Sequence, residues 1–167
     1  NFFITTFSII PSTYQQFHNY LLKKEVIGIW RIILDCANDL VAPYATNLCA
    51  FFLELIKEPP PKSKSFKDHL NHRKILQEAI SIHIVAMQCI ERLIQCPYQY
   101  DPQKIVDAVI DQLTYFKSEK LHVATLNTLR SVIRYFGSQN IQMEALHKKL
   151  FDFVKLSKSE TILDSIL

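Results

Sequence analysis

Residues 101–137 of this chain read DPQKIVDAVIDQLTYFKSEKLHVATLNTLRSVIRYFG. The stretch opens with Asp101-Pro102, an N-cap acceptor followed by a proline at the first helical position, where a backbone N–H is not needed. Apolar residues then recur every three or four positions, which is the period of an α-helix. After a tight turn Ser118 is a candidate N-cap, and Gly137 supplies a left-handed C-terminal stop. The stretch therefore predicts two helices, over residues 101–116 and 119–136.

The same period continues on both sides of this pair. Further helices are predicted over residues 14–24, 25–41, 44–57, 66–96 and 141–155. The helix over 25–41 is expected to be apolar on two sides, with Ile29 and Trp30 in one stripe and Ile27 and Leu34 on the opposite side. A helix of that kind is sandwiched between layers of its neighbours.

Glycine is scarce in this chain, which contains only Gly28 and Gly137. Average usage would give roughly twelve glycines in a chain of this length. Sheet folds need glycine in hairpin turns, and nucleotide-binding folds need it in phosphate loops. The shortage therefore indicates an all-α fold whose helices are joined by short turns.

The helix pair over residues 101–140 spans 40 residues, close to the ~40-residue period of helical repeats. Its second helix contains LHVATLNTL (121–129) and resembles the valine-, alanine- and leucine-rich inner helix of HEAT and armadillo repeats. One helical hairpin cannot bury its apolar face alone, so such repeats stack on one another. The resemblance implies an irregular HEAT/armadillo-like α-solenoid segment of stacked antiparallel helices, with a compact helical bundle as the alternative. Residues 1–167 would form a single all-helical domain or a fragment of a larger solenoid.

A proline- and lysine-rich stretch separates two of the predicted helices. Three consecutive prolines at 59–61 exclude a helix, so residues 58–65 are expected to form an exposed loop. Six lysines and arginines fall between positions 57 and 74 against two acidic residues, and this excess of positive charge could bind an acidic partner or a phosphate backbone. His69 and His72 share one helical face and could offer two ligands to zinc, although two solvated histidines are the simpler interpretation. The candidate partner-binding surface consists of Lys57, Lys62, Lys64, Lys67, His69, His72, Arg73 and Lys74.

No sequence motif for catalysis or for cofactor binding is present. The chain contains no Gly-x-Ser-x-Gly, Gly-x-x-x-x-Gly-Lys or His-Glu-x-x-His pattern. His83 lies within the apolar stripe of the longest predicted helix, where it is either a buried general base or a core histidine bonded to a carbonyl of a neighbouring helix. We expect the core histidine, because no carboxylate or nucleophile has a spacing that would orient its ring. No catalytic, cofactor-binding or metal-binding residue is predicted.

The four cysteines, Cys36, Cys49, Cys89 and Cys96, form no Cys-x-x-Cys pair. Cys89 and Cys96 lie seven positions apart on one predicted helix, about 10 Å at 1.5 Å per residue, which is beyond disulfide reach. Reduced thiols and an intracellular location, nuclear or cytoplasmic, are therefore expected. No run reaches the ~18 apolar residues that a membrane span needs, so no membrane partner is expected.

These features together predict a non-catalytic scaffold or adaptor segment of a larger protein, whose partner is another protein or a peptide. One alternative is a nucleic-acid-binding α-solenoid that uses residues 57–74. A second alternative is a secreted four-helix bundle of the cytokine type, which the length and the number of helices also allow. The net charge of +3 is too small to indicate that the whole surface attracts nucleic acid.

Overall fold

A computed structural model of the chain describes residues 20–36, 38–61, 69–96 and 100–156. The regular elements in these ranges are all helical, which confirms the all-α class. None of the helices in these ranges is long and apolar enough to cross a membrane. The α-helices are α1 Tyr20–Cys36, α2 Asn38–Val41, α3 Ala45–Ile56, α4 His69–Leu93, α5 Pro102–Ile110, α6 Gln112–Tyr115, α7 Glu119–Phe136 and α8 Met143–Leu156, with 3₁₀ turns at Ala42–Tyr44 and Ser138–Asn140.

The long helices alternate between two layers as the chain proceeds. The first layer consists of α1, α4 and α7, and α4 contacts both of the others. The second layer consists of α3, α5 and α8, and α5 contacts both of the others. Across the layers, α3 packs on α4, and α5 packs on α7. Each long helix therefore contacts, within its own layer, the second long helix that follows it along the chain.

The buried apolar residues form one cluster that draws on both layers. Burial of one large aliphatic or aromatic side chain contributes about 1.5–3 kcal/mol to folding, so this cluster is the main source of stability. Its largest fully buried side chains are Ile27, Trp30, Leu34, Phe52, Ile56, Met87, Ile90, Leu93, Ile94, Ile105 and Leu121.

Helix α1 corrects one predicted boundary. Residues 14–19 lie outside the described ranges, but the helix runs without interruption from Tyr20 to Cys36. The boundary predicted between Lys24 and Glu25 is wrong because both residues are good helix formers and neither stops a helix.

The buried side of α1 also differs from the prediction. Ile27, Trp30 and Leu34 are buried, whereas Ile29 is 53% exposed and Ile32 is 60% exposed. The expectation that this helix would be covered on two sides is therefore wrong within the described residues. α1 is the first described helix of its layer, and its most extensive contacts are with α4 alone.

The connection between α3 and α4 is partly as predicted. Helix α3 ends at Ile56, and residues 59–61 are not helical, whereas residues 62–68 lie outside the described ranges. The start of this connection is tied to α1, because Lys23 Nζ lies 3.7 Å from Glu58 Oε2. At its other end α4 stops at Leu93 rather than at Cys96, and a turn follows.

The caps of the 101–137 stretch are those predicted from its sequence. The Asp101 carboxylate accepts two backbone N–H groups of the first turn of α5, at 3.1 and 3.3 Å. The Ser118 hydroxyl accepts the N–H of Leu121 at 3.4 Å and begins α7. Gly137 follows the last residue of α7 with a left-handed φ of 81°.

The first helix of this stretch is split, which the sequence did not predict. Gln112 Nε2 donates to the Ala108 carbonyl at 3.4 Å, the acceptor that a continuous helix would offer to the backbone N–H of Gln112. The Thr114 hydroxyl and the Thr114 N–H both bond to the Asp111 carbonyl, at 2.8 and 3.1 Å, and tighten the chain into a turn. A helix predicted over 101–116 is therefore observed as the separate helices α5 and α6.

Replacement of Asp101 by alanine is expected to lower the free energy of unfolding by about 1 kcal/mol, because two N–H groups of α5 lose their acceptor. Asp101→Asn keeps an oxygen acceptor at the N-cap and is expected to unfold within a few tenths of a kcal/mol of the wild type. Denaturant unfolding followed by circular dichroism measures both changes. An equal loss in the two variants would instead assign the effect to the negative charge, whose carboxylate lies 3.7 Å from Lys104 Nζ.

Candidate functional site

The basic segment predicted as the partner-binding surface is described only in part. Lys62, Lys64 and Lys67 lie outside the described residues. Lys57 follows α3 directly and is exposed, and its Nζ lies 2.7 Å from Glu54 Oε1. This lysine is therefore already engaged in an ion pair.

The other members of the segment lie in the first two turns of α4. The backbone of His69 belongs to the helix, but its side chain lies outside the described part of the chain. His72 is half-buried, and Arg73 and Lys74 are exposed. No three histidine, cysteine or acidic side chains come together as a metal site within the described ranges. A role of this surface in binding stays a prediction.

A cleft of about 600 Å³ lies between α4 and α7, and we call it the α4–α7 cleft. Its walls combine three aliphatic side chains with two amides and three charged groups. A volume of this size is in the range of clefts that accept ligands. The lining residues are Ile84, Gln88 and Glu91 from α4 and Glu119, Lys120, Val123, Ala124 and Asn127 from α7.

A second, smaller cleft of about 330 Å³ adjoins it between α1 and α4. Gln88 and Glu91 line both clefts, so the two clefts form one surface across the three helices of the first layer. Asp35 forms salt bridges with both guanidinium groups of the smaller cleft, with Arg92 Nε at 2.8 Å and Arg31 Nε at 3.9 Å. Arg31 also donates to Gln88 Oε1 at 3.1 Å. The cations of this cleft are therefore committed to partners within the protein.

Glu91 lies where the two clefts meet. Its Oε1 accepts the hydroxyl of Thr128 at 2.6 Å, and the same hydroxyl oxygen lies 2.9 Å from the Ala124 carbonyl. Glu91 forms no salt bridge with any residue that the structure describes. Burial raises the pKa of the Glu91 carboxyl, while the Thr128 hydrogen bond and the charge of Arg92 act in the opposite direction. This carboxyl is partly desolvated and, although the charge of Arg92 acts on it, it forms no salt bridge with a described residue.

A third cleft of about 420 Å³ lies between α3 and α5, in the second layer. Small side chains, Ala50 and Ala108, line it together with Leu53 and several charged groups, and Lys57 of the predicted surface is one of these. Each charged group of this cleft has a partner of its own. The pairs are Lys57 with Glu54, Lys104 with Asp101, Gln103 with Asp107, and Lys149 with Asp111.

His83 is a buried residue of the core, as expected, but its partner differs from the prediction. Its Nδ1 lies 2.7 Å from Gln112 Oε1, and since an amide oxygen can only accept, Nδ1 carries the proton and donates. Gln112 Nε2 in turn donates to the Ile56 carbonyl at 2.6 Å. The carbonyl of a neighbouring helix is thus reached through a side-chain amide, and the chain of bonds joins α4, α6 and the end of α3. The ring also packs edge-on against Phe116, with 4.9 Å between centroids.

None of the four cysteines forms a disulfide in the structure; Cys36 is exposed, and the other three are buried. Burial raises the pKa of the Cys49 thiol to about 12 and that of Cys89 to about 12. The thiolate is the nucleophilic form of cysteine, so these two thiols are poorly suited to covalent chemistry.

Comparison of this chain with protein-family models, with curated proteins and with solved structures finds no match.

The residues of the α4–α7 cleft were missed at the level of sequence. Gln88, Glu91 and Asn127 are polar residues on amphipathic helices, which are ordinarily solvent-facing. The available signal was the place of Glu91 directly after Ile90, within the apolar run of the longest helix. Only the packing of α4 against α7 brings these three side chains to one cleft.

The burial of His83 makes the free energy of unfolding depend on pH. Burial lowers the pKa of His83, and the bond to Gln112 opposes that shift in part. Below the unfolded-state pKa of about 6.5 the unfolded chain therefore binds a proton that the native state does not, and the free energy of unfolding falls as pH falls. Between pH 7.5 and 5.5 we expect His83→Asn to lose less stability than the wild type, by about 1 kcal/mol.

Denaturant unfolding at the two pH values measures this difference. His147→Asn is the matched control, because it removes an exposed histidine of α8 that lies outside the buried cluster. If His83→Asn and the wild type lose stability equally, His83 is not the group responsible.

Proposed function

We propose that this chain is a segment of a HEAT/armadillo-like α-solenoid, acting as a non-catalytic scaffold or adaptor that binds another protein along its first layer. The observation that carries the proposal is the alternate packing of the helices, with α1, α4 and α7 in one layer and α3, α5 and α8 in the other. In stacked hairpins each helix meets its counterpart in the next hairpin, so a stack requires this alternation. In an up-and-down bundle consecutive helices are neighbours, and α1 would pack mainly on α3 instead.

The two ends of the described structure also support a stack that continues. Ile29 and Ile32 of α1 are exposed at one end, and Phe151 of α8 is 61% exposed at the other. Terminal helices of a solenoid expose apolar residues where the next repeat is not in place. Helices of the middle of the stack, such as α4, are covered by contacts with both neighbours in their layer.

The α4–α7 cleft is the partner-binding site of this proposal. Its mixture of aliphatic walls, amides and charged groups suits a peptide segment, because amides can both donate to and accept from a peptide backbone. The nucleic-acid alternative depends on residues 57–74, where Lys57 is already paired with Glu54. Cysteines outside disulfides fit a reducing compartment, and a nuclear or cytoplasmic location is part of the proposal.

A solenoid is expected to unfold helix by helix rather than as one unit. Leu146 of α8 is buried, and Leu146→Ala is expected to cost about 2–5 kcal/mol. Since α8 makes its main contact with α5, faster amide hydrogen exchange should be confined to α8 and its immediate neighbours. Hydrogen exchange followed by mass spectrometry measures the spread of the effect.

Leu93→Ala is the matched control, because Leu93 is fully buried on α4, which contacts α1, α3 and α7. This variant is expected to accelerate exchange throughout both layers. A compact bundle would respond to Leu146→Ala in the same global way, and that result would contradict the solenoid proposal.

Partner binding in the α4–α7 cleft can be tested by photo-cross-linking. A benzoylphenylalanine at position 127, which is exposed within the cleft, is expected to form protein adducts in a cell extract. The same residue at position 144, exposed on α8 in the other layer, is the control and is expected to form few. Adducts are separated by electrophoresis and identified by mass spectrometry.

Nuclease treatment and increasing salt distinguish the alternatives in the same experiment. Adducts at position 127 should persist under both, because binding through phosphate contacts falls steeply with salt and protein binding in a mixed cleft does not. Adducts that disappear after nuclease treatment would support the nucleic-acid alternative. Equal adduct formation at positions 127 and 144 would contradict a site in the cleft.

A further inference from the structure

Glu91 is a half-buried carboxyl that lines the α4–α7 cleft, bonded to Thr128 and without a salt bridge among the described residues. Removal of a carboxylate from water disfavours its charged form, and a cation beside it restores that form. The nearest guanidinium groups, Arg31 and Arg92, are engaged by Asp35. A cation from outside the protein would therefore complete an interaction that the folded chain leaves incomplete.

The charged residues that line the α4–α7 cleft sum to a net negative charge. Two carboxylates, Glu91 and Glu119, line it against one ammonium group, that of the exposed Lys120. The aliphatic side chains of Val123 and Ala124 line the same cleft as Glu91 and can cover the methylene stem of a lysine or arginine. The cleft thus matches an amphipathic cation, with an apolar stem and a charged end.

Two side-chain amides of the cleft are suited to bind the backbone of a peptide that carries such a basic side chain. Asn127 is exposed, and Gln88 is half-buried with its Oε1 accepting from Arg31 at 3.1 Å, while no described residue accepts from its NH₂ group. Side-chain amides bond to the backbone of an extended segment whatever its sequence. The volume of about 600 Å³ is larger than one side chain needs.

We propose that the α4–α7 cleft binds an extended peptide segment of another protein, with a lysine or arginine side chain of that segment against the Glu91 carboxylate. This inference rests on the proposed function, because it names the chemistry of the partner at the same site. The specificity comes from Glu91, and the amides provide contacts that are independent of the peptide sequence.

The test uses a phage-displayed library of random 12-residue peptides, selected in parallel against the wild-type chain and against Glu91→Gln. The substitution keeps an oxygen that accepts from Thr128 and removes the charge, so the fold is expected to be retained. Peptides selected on the wild type should be enriched in lysine or arginine at one position, and those selected on Glu91→Gln should lack that enrichment. Glu144→Gln on α8 is the control for removal of an exposed carboxylate, and it should select the same peptides as the wild type.

A second measurement changes the peptide and leaves the protein intact. In the best selected peptide the basic residue is replaced by norleucine or citrulline, which keeps most of the stem and removes the charge. Fluorescence anisotropy should show about tenfold weaker binding to the wild type and no more than about twofold weaker binding to Glu91→Gln. This coupling between the two changes does not depend on whether Glu91→Gln alters stability.

The outcomes separate this inference from the proposed function. Peptides that bind without a basic residue, or whose basic residue is not coupled to Glu91, overturn the inference and leave a peptide-binding cleft. Enrichment of acidic residues that depend on Arg31 and Arg92 overturns it as well. A library without any binder also overturns it, whereas absence of adducts at position 127 contradicts the proposed function itself.

Discussion

Helix α4 has to bury three sides at once, and the other described helices are arranged around that requirement. It is the longest of them, with 25 residues, and it contacts α1, α3 and α7. Met87 lies 3.7 Å from the Thr125 hydroxyl of α7, while Cys89 lies close enough to Arg31 and Asp35 of α1 for their charges to affect its pKa. A helix with a single apolar stripe could not pair with α1 and α7 simultaneously. The first layer exists because α4 is apolar on more than one side.

The same requirement explains the buried polar residues beside α4. His83 lies on its buried surface, and an unpaired ring nitrogen there would cost more than the ring gains by packing. Gln112 resolves this by accepting from His83 at 2.7 Å and donating to the Ile56 carbonyl at 2.6 Å. Gln112 directly follows the turn at Asp111 that separates α5 from α6. We interpret this local irregularity in the sequence of helices as a consequence of the polar group that α4 buries.

Much of the local structure could be predicted from particular residues. Three residues indicate helix ends. The Asp101 carboxylate and the Ser118 hydroxyl can accept backbone N–H groups of a first helical turn, and Gly137 has no side chain that would oppose a positive φ. Both ends of α7 were therefore predicted to the residue. The split at Asp111 could not be predicted, because it depends on a bond from Gln112 to a carbonyl 56 positions away. The exposed side of α1 was missed for a similar reason. Periodicity shows that Ile29 and Ile32 are apolar, but only the packing decides which side of the helix is covered.

The α4–α7 cleft could not be predicted from the sequence, because its residues come together only through long-range packing. Its residues look like ordinary surface positions of two separate helices, and the predicted surface at residues 57–74 was chosen because charge runs are visible along the chain. The packing of the helices changes how suitable the cleft residues and the basic segment each are as a binding site. Lys57 and the other charged groups of the cleft between α3 and α5 already have partners within the protein, so a ligand there would have to displace them.

Glu91 is in the opposite situation, because its neighbours Arg31 and Arg92 share Asp35 and none of the described cations pairs with it. A new ion pair with a group that has no partner adds an interaction, whereas one with a paired group only exchanges partners. A partly buried carboxylate also gains more from a cation than an exposed one, since solvent screens the pair less. Of these three clefts, the one between α4 and α7 therefore has the most to gain from a partner, although it carries less charge than the basic segment.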